Sequence, residues 1–177
     1  DFKGRLSLDG LTSLDEETVR VLTISKGKSI SFAGLTSLDE KTARALTNWK
    51  GDSLSFDGFY SLDEKTASIL ANFKGDFLSF AGLTSLDEKT AMALSNFKGR
   101  YIVLDSLTSL DDDTAMALSN FNGEEISLEG LTSLNEKTAA TLVKFKHFTL
   151  NRLLSLDEKT AGALAGWSRS RRPPLGG

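Results

Sequence analysis

Apolar and polar positions along the chain follow two rhythms that take turns. A short run of two apolar residues around one mostly small polar residue occurs as Leu6-Ser7-Leu8, Ile30-Ser31-Phe32, Leu54-Ser55-Phe56, Leu78-Ser79-Phe80, Ile102-Val103-Leu104, Ile126-Ser127-Leu128 and Phe148-Thr149-Leu150. That period of two predicts strands with one buried face. After each run the spacing becomes helical. Leu38, Thr42, Ala45, Leu46 and Trp49 share one narrow sector at 100° per residue, as do Leu86, Thr90, Ala93, Leu94 and Phe97.

The alternation is a repeat with a period of 24. The pair Ser-Leu marks it at Ser13-Leu14, Ser37-Leu38, Ser61-Leu62, Ser85-Leu86, Ser109-Leu110 and Ser133-Leu134, then at Ser155-Leu156 after an interval two residues shorter. Seven copies in register decide the architecture before any single residue does. Ser85 followed three residues later by Glu88 predicts a capping box at the helix start. The spacing recurs in every copy, with Asp112 in place of Glu in the fifth. A helix of about three turns is then expected, ending at Gly27, Gly51, Gly75, Gly99 or Gly123 as a left-handed cap residue.

One strand-turn-helix unit cannot bury both of its apolar faces alone, whereas stacked units can. Parallel strands sit about 4.8 Å apart and packed helices about 8–10 Å. The row therefore bends, with strands on the concave side and helices on the convex side. The expected fold is an α/β, right-handed βα solenoid of seven repeats. Ala43, Ala67, Ala91, Ala115 and Ala139 lie on the helix flank, where small side chains let neighbouring helices approach.

The Leu-x-Leu-x-x-Leu-x-x-Leu skeleton, as in Leu78, Phe80, Leu83 and Leu86, resembles the leucine-rich repeat. The likeness runs from about Leu6 to Trp167 and implies a horseshoe that presents a concave sheet to a protein or peptide. The chain departs from that family's pattern after the strand, where Leu11, Leu35, Phe59, Leu83, Leu107, Leu131 and Leu153 replace the usual Asn or Cys. No buried Asn ladder is expected.

Composition narrows the function classes. A net charge of −3 with 25% charged residues describes an ordinary surface, without the basic footprint of a nucleic-acid binder or a polybasic membrane patch. There is no cysteine, so thiolate and disulfide chemistry are excluded. No apolar run approaches the ~20 residues that span a bilayer. The opening Asp1-Phe2-Lys3-Gly4 matches the end of a unit, as in Phe73-Lys74-Gly75, and suggests a piece of a longer array. The strand at Leu6 then offers an edge for self-association. Residues 1–167 form the solenoid, and 168–177, rich in Arg, Pro and Gly, read as a flexible basic tail. Its terminal Gly176-Gly177 also ends ubiquitin-like modifiers, which are compact single folds rather than repeats.

Function is sought where near-identical copies differ. The outward positions before, within and after the strands read Arg5, Ser7, Asp9; Ser29, Ser31, Ala33; Ser53, Ser55, Asp57; Phe77, Ser79, Ala81; Tyr101, Val103, Asp105; Glu125, Ser127, Glu129; His147, Thr149, Asn151. Phe77, Tyr101 and Val103 are expected to form an apolar patch on the concave sheet, bordered by Glu125 and His147. Exposed clustered aromatics anchor interfaces; local packing explains them equally well. The recurrent Asp-Glu pairs belong to helix starts, where negative charge is favourable. Asp111-Asp112-Asp113 lacks the spaced ligands of a calcium loop and reads as a solvated helix start. His147 is the sole histidine, so no His-based metal cluster exists. Met92 and Met116 point outward as a small convex patch or as plain helix formers. No catalytic set or phosphate loop can be assembled, and no cofactor is expected. The expected role is a non-enzymatic module binding a protein or peptide; the alternative is a structural spacer or self-associating array. Ice binding through Ser7, Ser31, Ser55, Ser79 and Ser127 ranks below both, because aromatic and acidic residues interrupt that ladder.

Overall fold

The computed structural model describes residues 4–24 and 27–169, with side chains to Gly166. Asp1-Phe2-Lys3, Ser25, the tail from Ser170 and its terminal Gly-Gly lie outside the described residues. Seven three-residue strands alternate with seven helices. They are β1 Arg5–Ser7, α1 Glu16–Leu22, β2 Ser29–Ser31, α2 Glu40–Leu46, β3 Ser53–Ser55, α3 Glu64–Leu70, β4 Phe77–Ser79, α4 Glu88–Ser95, β5 Tyr101–Val103, α5 Asp112–Leu118, β6 Glu125–Ser127, α6 Glu136–Leu142, β7 His147–Thr149 and α7 Glu158–Arg169. The last helix runs two residues beyond the expected solenoid boundary. All seven strands lie parallel in one open sheet in chain order, so each unit touches only its neighbours. Each strand begins one residue earlier than the alternating runs suggest, at the variable outward position. The register joins equivalent residues, as in Ser53↔Phe77↔Tyr101↔Glu125↔His147.

Like residues therefore stack on like, and the core is a set of columns. Phe32, Phe56 and Phe80 stack at 5.8 and 5.6 Å between centroids. Past the helices, Trp49, Phe73, Phe97 and Phe121 form a nearly parallel ladder at 6.0, 6.5 and 6.4 Å. The wider spacing of the second column fits a row that opens toward its helices. Ala43, Ala67, Ala91, Ala115 and Ala139 are all completely buried on the helix flank. Where a leucine-rich repeat would carry Asn, Leu35, Phe59, Leu83, Leu107 and Leu131 are buried as another apolar column.

The helix starts differ from the sequence expectation. The cap is the Asp two residues after the Ser: Asp39 Oδ1 accepts from the Lys41 and Thr42 amides at 2.9 and 3.0 Å, and Thr42 Oγ1 donates to Asp39 Oδ2 at 2.7 Å. Asp63 repeats this with Thr66, and Asn135 caps α6. The preceding Leu86 packs against the core just before the cap Asp87, with Ala91 buried one turn in, which is a hydrophobic staple. Moving the cap two residues on shortens six of the helices to seven or eight residues, about two turns rather than three.

The glycines after the helices also differ, since no glycine among the described residues has positive φ. Space, not handedness, selects them. A Cβ on Gly51 would lie 2.1 Å from Trp49 Cζ2, and one on Gly123 would lie 2.1 Å from Phe121 Cζ. The ladder rings fold back over the chain two residues later and leave no room for a side chain.

Asp112 is not simply solvated. Its Oδ1 accepts from Asn135 Nδ2 at 3.0 Å and Thr138 Oγ1 at 2.8 Å, and Lys137 Nζ sits 3.2 Å from Oδ2. These contacts, the Asn135 bond first, hold its carboxyl below the ordinary range and tie the fifth unit to the sixth.

Candidate functional site

The outward side of the sheet carries a device the repeat pattern alone does not announce. Asp9, just past β1, accepts from Ser31 Oγ at 2.5 Å and from the Ala33 amide at 2.9 Å in the next unit, while its other oxygen accepts from Ser7 Oγ at 2.6 Å. Ser31, Ser7 and the Ala33 amide together lower the Asp9 pKa to about 2. Asp57 takes the Ser79 hydroxyl and the Ala81 amide in the same way, and Asp105 takes the Ser127 hydroxyl and the Glu129 amide. These aspartates stand in the first, third and fifth units, with Ala33, Ala81 and Glu129 at the equivalent position of the second, fourth and sixth.

The alternation explains its neighbours. Ser55 follows Ala33 instead of an Asp, and its hydroxyl is buried with no hydrogen-bond partner. Val103 follows Ala81, so a residue that needs no acceptor stands there. Val103 thus has a local packing reason to be where it is. The serines foreseen as an exposed ladder are largely committed: Ser31, Ser79 and Ser127 donate to carboxylates, and Ser127 also meets Thr149 Oγ1 at 2.9 Å.

Leaving a buried hydroxyl unsatisfied costs about 1–3 kcal/mol. Ala33→Asp supplies Ser55 with the acceptor its counterparts have, and Ala33 is exposed, so the carboxylate keeps contact with water. The variant is expected to raise the unfolding free energy by about 1 kcal/mol, read as a higher urea midpoint at unchanged slope. A lower midpoint would mean that Ser55 is already satisfied by water.

Phe77 and Tyr101 meet as expected, with ring centroids 6.3 Å apart and planes inclined by 43°. Both are half-buried, as is Val103 beside them. Glu125 and His147 continue the same register row, Glu125 half-buried and His147 exposed. Arg100 places its guanidinium carbon 5.2 Å from the Tyr101 centroid. The pair forms the wall of an open trough of about 650 Å³ across β1–β5, floored by Ser55, Ser79 and Val103. Asp52 and Asp76 stand on the rim before the strands, Asp57 and Asp105 on the rim after them. Three grooves between the helices are smaller, at about 360–390 Å³, and are lined by charged surface pairs such as Glu40 with Arg44. A hollow of about 630 Å³ at the starts of α1 and α2 is lined by Glu16, Asp39, Glu40, Lys41 and Thr42.

The remaining candidates separate from the trough. Met92 and Met116 are each 45% exposed on adjacent helices, with Asn120 Nδ2 3.7 Å from Met92 Sδ and Lys144 Nζ 3.8 Å from Met116 Sδ. Among the described residues no group of three or more metal-binding side chains comes together, and no helix is long and apolar enough to cross a membrane. The four trough carboxylates are the residues that sequence reasoning missed as part of a site. For Asp57 and Asp105 the signal was the alternation of Asp with Ala33 and Ala81 at the position after the strand, whereas Asp52 and Asp76 precede their strands and carry no such pattern. In comparisons with protein-family models and with curated proteins, nothing matches this chain.

Proposed function

We propose that this chain is a leucine-rich-repeat-like, non-enzymatic interaction module that binds a protein or peptide through the outward face of its sheet. The observation that carries the reading is the Phe77–Tyr101 pair, half-exposed at positions where the second and third units carry Ser29 and Ser53. Packing does not demand aromatics there, since the chain's own units fold with serine in the same register. Paired aromatics beside open polar surface are characteristic anchors of interfaces.

The test follows from that equivalence. Phe77→Ser with Tyr101→Ser copies the second and third units and is expected to lower stability by no more than about 1 kcal/mol. Capture of partners selected on the wild type should fall by at least about tenfold, which corresponds to the loss of one interface anchor. A protein that unfolds instead would assign the rings to the core and remove the basis of the proposal.

A second reading, a self-associating or spacer array, is favoured by one observation. Among the described residues β1 pairs only with β2, so one of its edges carries unpaired backbone groups. Light scattering separates the two: a mass that grows with concentration supports the array, and a constant monomer mass counts against it.

A further inference from the structure

This inference rests on the strand-face reading and names the partner's chemistry. We propose that the trough takes an extended basic peptide whose alternate arginine or lysine side chains reach Phe77, Tyr101 and the rim carboxylates Asp52, Asp57 and Asp76.

Charge complementarity is the first support. Among the described residues the Asp52 and Asp76 carboxylates take part in no hydrogen bond or ion pair, and they face the trough from one rim. Asp57 and Asp105 use only Oδ1 for the bonds to the next unit, so each keeps Oδ2 for another donor. Arg5 at the β1 end is the one cation lining the trough, against the four carboxylates Asp52, Asp57, Asp76 and Asp105, and the neighbouring Arg100 lies over Tyr101. That last contact also demonstrates within the molecule that the Tyr101 ring accepts a guanidinium, as the ring quadrupole favours.

An independent support comes from Ser55. Its side chain lines the trough, is 7% exposed, and has a hydroxyl without a partner. A polar group left in that state beside a concave surface suits a bound backbone carbonyl that accepts from it. Dimensions agree as well. Five strands at a spacing of about 4.8 Å give the trough a length of roughly 19 Å, which about six extended residues cover. Alternate residues of such a peptide lie about 6.6 Å apart, close to the 6.3 Å between the two ring centroids.

Fluorescence anisotropy with labelled hexapeptides alternating serine with arginine, with glutamate or with leucine tests the assignment on the full chain. The arginine peptide is expected to bind, and more weakly as salt rises. Asp52→Asn with Asp76→Asn should weaken it by roughly tenfold, Ser55→Ala should weaken it without lowering the urea midpoint, and Phe77→Ser with Tyr101→Ser should abolish it. Glu64→Gln with Glu88→Gln on the helix side removes equal charge and should change nothing. Equal binding of the arginine and glutamate peptides, no binding of the arginine peptide, or equal loss in the helix-side control would overturn the proposal. A random-peptide selection on the wild type and on the Phe77→Ser, Tyr101→Ser variant separates the two levels. Neutral or acidic winners lost in the variant would overturn the charge class and keep the strand face, whereas winners indifferent to the variant would overturn both.

Discussion

Gly51→Ala is expected to destabilise the protein by about 1–3 kcal/mol, the range for forcing extra volume into a packed interior. The cause is one ring. The added methyl would meet Trp49 Cζ2 at 2.1 Å and Cη2 at 2.2 Å, and the glycine itself has no positive φ. Trp49→Ala alone should cost about 3–5 kcal/mol, since it empties a fully buried member of the aromatic ladder. Combined, the two changes should cost less than their sum, because the methyl then enters space that the indole has left. A coupling of at least about 1 kcal/mol in a double-mutant cycle is the expected reading. If Gly51→Ala is equally harmful in both backgrounds, backbone strain rather than the ring selects glycine. Trp49→Phe completes the set. It copies the rest of the ladder, removes an indole N–H that has no partner, and should cost less than about 1.5 kcal/mol. Because each unit contacts only its neighbours, damage at Trp49 weakens the contact between second and third units first, and a broadened or split unfolding transition is expected.

Acid should unfold the protein over a defined window. The cap carboxylates Asp15, Asp39, Asp63, Asp87 and Asp157 are all held below the ordinary 3.8, first by the amide of the Thr three residues on, and Asp39 and Asp63 also accept that residue's hydroxyl. Asp9 is lowered to about 2 by its two serines and an amide. Each depressed folded value means that the unfolded chain takes up protons first as pH falls. The contribution is therefore complete above the ordinary value and is lost as pH drops from about 4 toward about 2. Urea midpoints should stay level from neutral pH to about pH 5 and then decline together in circular dichroism and fluorescence. Asn at the same cap positions should flatten the decline, as Asn135 already caps α6 without a charge. A midpoint that already falls between neutral pH and about pH 5 would contradict the assignment.

The fold was legible because the repeat repeats its buried positions: Phe80, Leu83, Leu94 and Phe97 recur with the same burial in unit after unit. What escaped were choices between overlapping local signals. Ser85 and Glu88 make one capping pattern, Asp87 and Thr90 another, and both fit any single unit. The contest is settled by Leu86, which reaches the core only if the chain stays extended up to the Asp. The post-helix glycines suggested a left-handed turn because that is the commoner use of glycine there. Their actual constraint is a ring two residues back, visible only once the ladder closes. At the candidate site the Phe77–Tyr101 contact followed from the period, since residues 24 apart share a register row. The pairing of Asp57 with Ser79 spans 22 residues and runs between unlike positions of adjacent units, which a search for like on like overlooks.

The carboxylate bonds on the outward face divide the row into couples. Asp9, Asp57 and Asp105 fasten the first unit to the second, the third to the fourth and the fifth to the sixth, while the junctions after Ala33 and Ala81 lack the clasp. Under a stretching force the molecule should therefore yield at the unfastened seams before the fastened ones. Each released couple would pay out roughly 160–170 Å of chain, so the protein would lengthen in double strides instead of single ones.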